Sequence, residues 1–108
     1  MTNREARVAR NESISREINE GIEDAHTSTS DGYVRMVCEC GQPECGRLIA
    51  ITVREYEQVR SDPRRFAVMN DHVMGDVETV ILETERFTVV QKREGTPAAV
   101  AEETDPRT

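Results

Sequence analysis

The chain has 108 residues, 36% of them hydrophobic, which is enough for one small domain and too little for two independent cores. A formal charge of −7 argues against broad contact with a nucleic-acid backbone, which needs clustered basic groups, and points instead to a protein partner. The longest apolar runs, such as Leu48 to Ile51 and Val80 to Leu82, fall far short of the ~20 residues that cross a bilayer.

The N-terminus MTNREARVARNES carries arginines with no apolar core behind them, so no secretory signal is read there and the cytoplasm is the expected address. From Asn3 to about His26 the pattern is helical. Ile14, Ile18 and Ile22 share one face, with Ala25 continuing it, while Arg16, Glu17, Glu20, Glu23 and Asp24 fall largely on the remaining surface. Glu12 precedes Arg16 by four, the favourable order for a helical ion pair worth about 0.2–0.5 kcal/mol. The apolar stripe is narrow, and docking on the chain's own domain and capture of a partner both fit it. If a partner is captured, Ile14, Ile18 and Ile22 are the residues expected to be buried against it.

Residues 27–32, Thr-Ser-Thr-Ser-Asp-Gly, are small and polar and read as a linker. Tyr33 to Cys38 and Arg47 to Ile51 read as strands on either side of a cysteine-bearing loop. Thr52 and Glu55 then form a capping box, with Ile51 and Tyr56 as its hydrophobic staple, and start a short helix. Pro63 ends it by pushing Asp62 out of helical geometry. Arg65 to Met69 reads as a strand and Asn70 to Asp76 as a loop. Val77 to Glu83 and Phe87 to Lys92 alternate as an antiparallel hairpin turning at Thr84-Glu85-Arg86. From Glu94 onward no pattern is sustained, and residues 94–108 are expected to be disordered.

All three cysteines lie in VCECGQPECG, as Cys38, Cys40 and Cys45. Their odd number and close spacing do not match the even framework of a small secreted domain, which favours a metal or redox role over a structural staple. Cys38 and Cys40 project to one side of an extended segment, and the turn Gly41-Gln42-Pro43-Glu44 returns Cys45 towards them. Gly41 and Gly46 permit the tight backbone. Zinc takes four tetrahedral sulfur and nitrogen ligands, and of the two histidines His72 is the expected fourth, because its loop follows a strand able to pair beside the cysteine hairpin. His26 sits at the end of the first helix. Free thiols and a disulfide-forming redox sensor are the competing readings.

The segment Cys38-Glu39-Cys40 through Cys45, followed by Glu55 to Phe66, resembles a family of small, largely uncharacterised actinobacterial proteins. In that family a C-x-C-x4-C loop precedes an E-Y-x-x-V-R-x-x-P-x-R-F segment and a P-G-H-E loop. The first two are present and His72 alone remains of the third, which the resemblance supports as a ligand; the family implies no activity. No phosphate-binding loop, zinc deaminase signature or serine-based constellation is present. Three thiolates would also leave a metal a poor Lewis acid.

The expectation is an α+β fold: residues 1–26 an amphipathic helix, 27–32 a linker, 33–93 a domain with a small antiparallel sheet, a zinc-bound hairpin and one short helix, and 94–108 a tail. The expected function is a noncatalytic, zinc-stabilised interaction module, in the manner of a regulatory adaptor, engaging a protein partner. A thiol-based redox sensor and a metal-dependent enzyme are the alternatives.

Overall fold

The computed structural model describes residues 3–26 and 32–107. Its elements follow in the order α1 (Asn3–His26), β1 (Val34–Val37), β2 (Leu48–Ile51), α2 (Val53–Arg60), β3 (Arg65–Val68), β4 (Glu78–Glu83), β5 (Thr88–Lys92) and α3 (Thr96–Glu103). The class is α+β, as expected, but the strands form two sheets rather than one. β1 pairs with β2 antiparallel, and β5 lies between β3 and β4 in a second antiparallel sheet. The residues expected as a linker lie outside the described residues except for Gly32.

Alternation along β3 and β5 builds a core on each face of the second sheet. Ala67 and Val89 join Met36, Ile49, Ile51, Tyr56, Val59 and Phe87 on one side, beneath β1, β2 and α2. Phe66, Val68 and Val90 join Cys38, Cys40 and Ala101 on the other, so the cysteine loop is part of a core wall. The capping box of α2 forms as read: Thr52 Oγ1 accepts from the Glu55 amide at 3.1 Å, and Glu55 accepts from the Thr52 amide at 2.9 Å. The hairpin of β4 and β5 also forms, with a register irregularity between Val80 and Leu82.

Three expectations are corrected. The segment from Glu94 is not patternless in space. Thr96–Glu103 is helical, with Pro97 in its first turn, and it buries Ala98 and Ala101. Alanine has the highest helix propensity but little hydrophobic weight, so a helix docked by two alanines leaves a faint periodic signal.

The second correction concerns α1. Its buried residues are Glu12, Arg16, Asn19 and Glu23, whereas Ile14 and Ile18 remain 47% and 46% exposed. Ile22 is half-buried and packs against the core. The helix therefore lies on the domain through its polar face, because that surface offers hydrogen-bonding groups in need of partners. Arg16 is fully buried over the Phe66 ring and donates to the carbonyls of Pro63 and Ala101 and to Thr104 Oγ1 at 2.7–2.9 Å. It thus caps the C-terminal end of α3, where unpaired carbonyls favour a cation.

The third correction follows from the second. Glu12 does not pair with Arg16 along the helix; its carboxylate meets Lys92 of β5 at 2.6 Å. The boundary drawn after residue 26 is accordingly no boundary in the packing, since α1 supplies partners to β1, β5 and α3.

Candidate metal centre

The cysteine loop leaves β1 and runs along the outer edge of β3. The Glu39 amide donates to the Ala67 carbonyl and the Glu39 carboxylate accepts from the Ala67 amide, both at 2.9 Å. The edge strand is covered by one residue acting through main chain and side chain together. The backbone then folds tightly, with φ of 72° at Gly41, 64° at Glu44 and 40° at Gly46. Gly41 has no room for a side chain: a Cβ there would come within 2.6 Å of the Val8 carbonyl oxygen and 2.5 Å of Glu12 Cγ. Asn11 fixes the approach by donating to the Gly41 carbonyl.

Past Val68, β3 turns at once. The His72 amide closes on the Met69 carbonyl at 2.9 Å and carries the imidazole back over the cysteines. His72 Nδ1 lies 3.6 Å from Cys38 Sγ and 3.5 Å from Cys45 Sγ. The four ligand atoms of Cys38, Cys40, Cys45 and His72 all fall within 4.8 Å of one another, close enough to hold a metal ion. A tetrahedral ion with sulfur at ~2.3 Å and nitrogen at ~2.0–2.1 Å implies S···N edges of about 3.6 Å, so these spacings fit one. The three cysteines are free thiols. All four residues expected as ligands are thus brought together. His26 is not among them; its Nδ1 lies 2.8 Å from the Ile22 carbonyl oxygen.

Two backbone amides favour the charged form of sulfur, against burial. The Met69 amide donates to Cys38 Sγ at 3.2 Å and the Gln42 amide to Cys40 Sγ at 3.4 Å. The hydrogen bond shared with Cys38 pulls the Cys40 thiol down to about 5, against the effect of burial. The same sharing, and then burial, pushes Cys38 up, and burial also raises Cys45. A cation in the cluster would displace the thiol protons and favour all three thiolates. On the outer side, Asp71 Oδ1 stands 3.5 Å from His72 Nε2, where it favours the tautomer that leaves Nδ1 free to ligate.

Sequence reasoning missed Glu39. Its carboxylate is fully buried and accepts from Asn19 Nδ2 at 2.9 Å, Tyr56 Oη at 2.6 Å and the Ala67 amide, with Arg60 at 3.5 Å. Asn19 also brackets β1, accepting from the Val37 amide and donating to the Val37 carbonyl at 2.8 Å. The residue between the first two cysteines therefore anchors their loop to α1, α2 and β3. Its only sequence signal was its position between the two thiols.

A second grouping of acidic side chains, Glu20, Glu23 and Asp24, is already engaged by a cation of the chain: Arg107 meets Glu20 at 2.7 Å and Glu23 at 2.8 Å. No protein-family model, curated protein or solved structure matches the chain, so the centre stands on its own geometry.

Proposed function

We propose that the chain is a noncatalytic, zinc-stabilised protein-interaction module with a regulatory role, holding zinc through Cys38, Cys40, Cys45 and His72. The observation that carries this reading is the convergence of the four ligand atoms within 4.8 Å. Three thiolates and one imidazole suit zinc, and a set of four protein ligands leaves no vertex for a reactive water, the pattern of a structural rather than a catalytic site. The kinship proposed from the C-x-C-x4-C and E-Y-x-x-V-R-x-x-P-x-R-F segments agrees with this reading and adds no activity. Reduced thiols suit the cytoplasm, the compartment proposed for the protein.

The surface proposed for the partner is the outward face of α1. Ile14 and Ile18 are its exposed apolar residues, and Ile14 borders a shallow cleft of ≈ 220 Å³ whose other wall includes Gln42, Glu44 and Cys45. Ile22, turned towards the core, leaves this surface. Metal and helix face then form one unit, with the ion shaping the loop against which the helix lies.

Two measurements test the proposal. Elemental analysis and X-ray absorption should give one zinc per chain with three sulfurs and one nitrogen; a bound exchangeable water would sink the noncatalytic reading. Affinity capture from the native cell should recover a protein with the wild-type chain and lose it with Ile14→Ser/Ile18→Ser at unchanged zinc content. Capture that survives the double substitution would move the partner surface elsewhere. A thiol redox sensor is the second reading, supported by the partial exposure of Cys45 and of the His72 side chain, which is 19% exposed. It requires zinc release under mild peroxide and recovery with a reductant; irreversible oxidation counts against it.

A further inference from the structure

A cavity of ≈ 680 Å³ opens on the far side of Glu12 from the metal loop, between α1, α3 and the three-stranded sheet. None of the four metal-ligating residues lines it. Its walls are largely apolar, formed by Val8 and Ala9 of α1, Pro97 and Val100 of α3, and Met74 and Val77 before β4. Its size lies within the range of small-molecule sites, about 300–1,000 Å³.

Two buried charged groups form the floor. Glu12 and Lys92 are each 5% exposed and both line the cavity, with Phe66 beside them. Lys92 Nζ is held at 2.6 Å by Glu12 and at 2.7 Å by Glu78, so its positive charge is shared by two carboxylates. Glu78 is also engaged through its other oxygen, which accepts from the Met74 amide at 2.8 Å. Glu12 differs: among the described residues its side chain has the one hydrogen bond through Oε2, leaving Oε1 uncommitted. Arg4, Glu5 and Asp76 add one positive and two negative charges at the rim. With Glu12, Glu78 and Lys92, and with the buried Arg16 that backs Phe66, Ala101 and Thr104, the lining and its immediate support carry four carboxylates to three cations.

We propose that this cavity binds a small organic cation, an apolar body carrying a primary ammonium group, with the ammonium donating to Glu12. An anionic ligand would meet the carboxylates of the lining, whose buried cation, Lys92, is already held by Glu12 and Glu78, while Arg16 behind Phe66 is turned to the carbonyls of Pro63 and Ala101 and to Thr104. A purely apolar ligand would leave Glu12 Oε1 without a donor, with Oε2 alone served by Lys92. The amine satisfies both the walls and the floor.

The test uses the full chain saturated with zinc. Amide-resolved NMR titrations compare hexylammonium, hexanol and hexanoate, which share a tail and differ in the head group. Hexylammonium should give saturable shifts at Val8, Ala9, Val77 and Val100, and bind about tenfold more tightly than hexanol, with hexanoate weakest. Ala9→Trp, which fills the cavity from a half-buried helical position, should abolish those shifts. Glu12→Gln should bring the amine down to the affinity of the alcohol. Asp76→Asn at the exposed rim gives a second reading that does not disturb the buried triad, and should weaken the amine alone. Equal affinity for the three probes, preference for hexanoate, no saturable shift with the amine, or shifts that survive Ala9→Trp would each overturn the proposal.

Discussion

At the scale of single residues the centre depends on a ligand, a glycine and a carboxylate. In the proposed zinc site His72 supplies one of four donors, and changes in the supporting groups of such sites alone cost roughly 10–100-fold in metal affinity. His72→Ala should therefore weaken zinc by more than that range in a competition titration with a chromophoric chelator; unchanged affinity would take His72 out of the site. Gly41 makes a separate test of the loop. Its φ of 72° and its contact with the Val8 carbonyl oxygen both exclude a side chain, whereas Gly46, at φ 40°, has nothing within 4 Å of the place a methyl group would take. Gly41→Ala should cost more than the roughly 1–3 kcal/mol of backbone strain expected at such a position. Gly46→Ala should cost no more than that strain, both read by urea unfolding in excess zinc; equal losses would show that the approach to α1 is unimportant. The grouping of Cys38, Cys40, Cys45 and His72 was legible because cysteine spacing and a histidine after a strand are chemical signals that survive any fold. Glu39 was not, because in an acidic chain one more glutamate reads as surface until Tyr56, Asn19 and the Ala67 amide are seen to surround it.

At the scale of elements, α1 shows where hydrophobic pattern misleads. Ile14, Ile18 and Ile22 gave a correct helix and left open whether their face docks on the domain or on a partner, and the inner face went unread because periodicity in apolar residues is the signal sought and Glu12, Arg16, Asn19 and Glu23 are equally periodic but polar. The start of α2 was legible to the residue, since its capping box is local chemistry, while α3 depends on two buried alanines of its own and on Arg16 brought from elsewhere in the chain. Ile18→Ser should leave stability within about 0.5 kcal/mol, as surface changes do. Asn19→Ala should cost about 1–3 kcal/mol for each buried partner it strands on Val37 and Glu39. The reverse order in denaturant unfolding would restore the apolar face as the docking face. The polar face also imposes a pH dependence. Burial raises the Glu12 carboxyl from 4.5 to about 7 even though Lys92 opposes the shift. Between those values the folded chain keeps a proton that the unfolded chain has released, so this group's contribution to stability falls as pH rises through the window. At about 1.4 kcal/mol per pH unit the loss is roughly 3 kcal/mol. Glu12→Gln should flatten that part of the profile in zinc-saturated protein, leaving the slope from Glu23, also raised to about 7 by burial. A profile identical to wild type would mean that Glu12 titrates as an ordinary exposed carboxyl.

At the scale of the whole molecule, the proposed metal centre and the first helix would act as two fastenings of one core. Cys38 and Cys40 belong to the apolar cluster on one face of the second sheet, and the residue between them reaches Tyr56 and Arg60 on α2. A cation among the thiolates therefore fixes a wall of the core, and its binding free energy is folding free energy. Zinc at about a thousand times its Kd contributes about 4 kcal/mol. In a domain of this size 1 kcal/mol moves Tm by about 4–8 °C, so chelation should lower Tm by roughly 15–30 °C. Deleting the chain up to Thr29 tests the other fastening. It would leave Lys92 without Glu12, Glu39 and Val37 without Asn19, and the end of α3 without Arg16. Buried polar groups deprived of partners are costly, and zinc cannot replace them because none of them is a ligand. The truncated chain should therefore lack cooperative unfolding even in excess zinc, while the full chain without zinc keeps a weakened transition. Calorimetry of the four combinations decides the matter: a truncated, zinc-loaded chain that unfolds cooperatively near the wild-type Tm would show α1 to be an appendage after all.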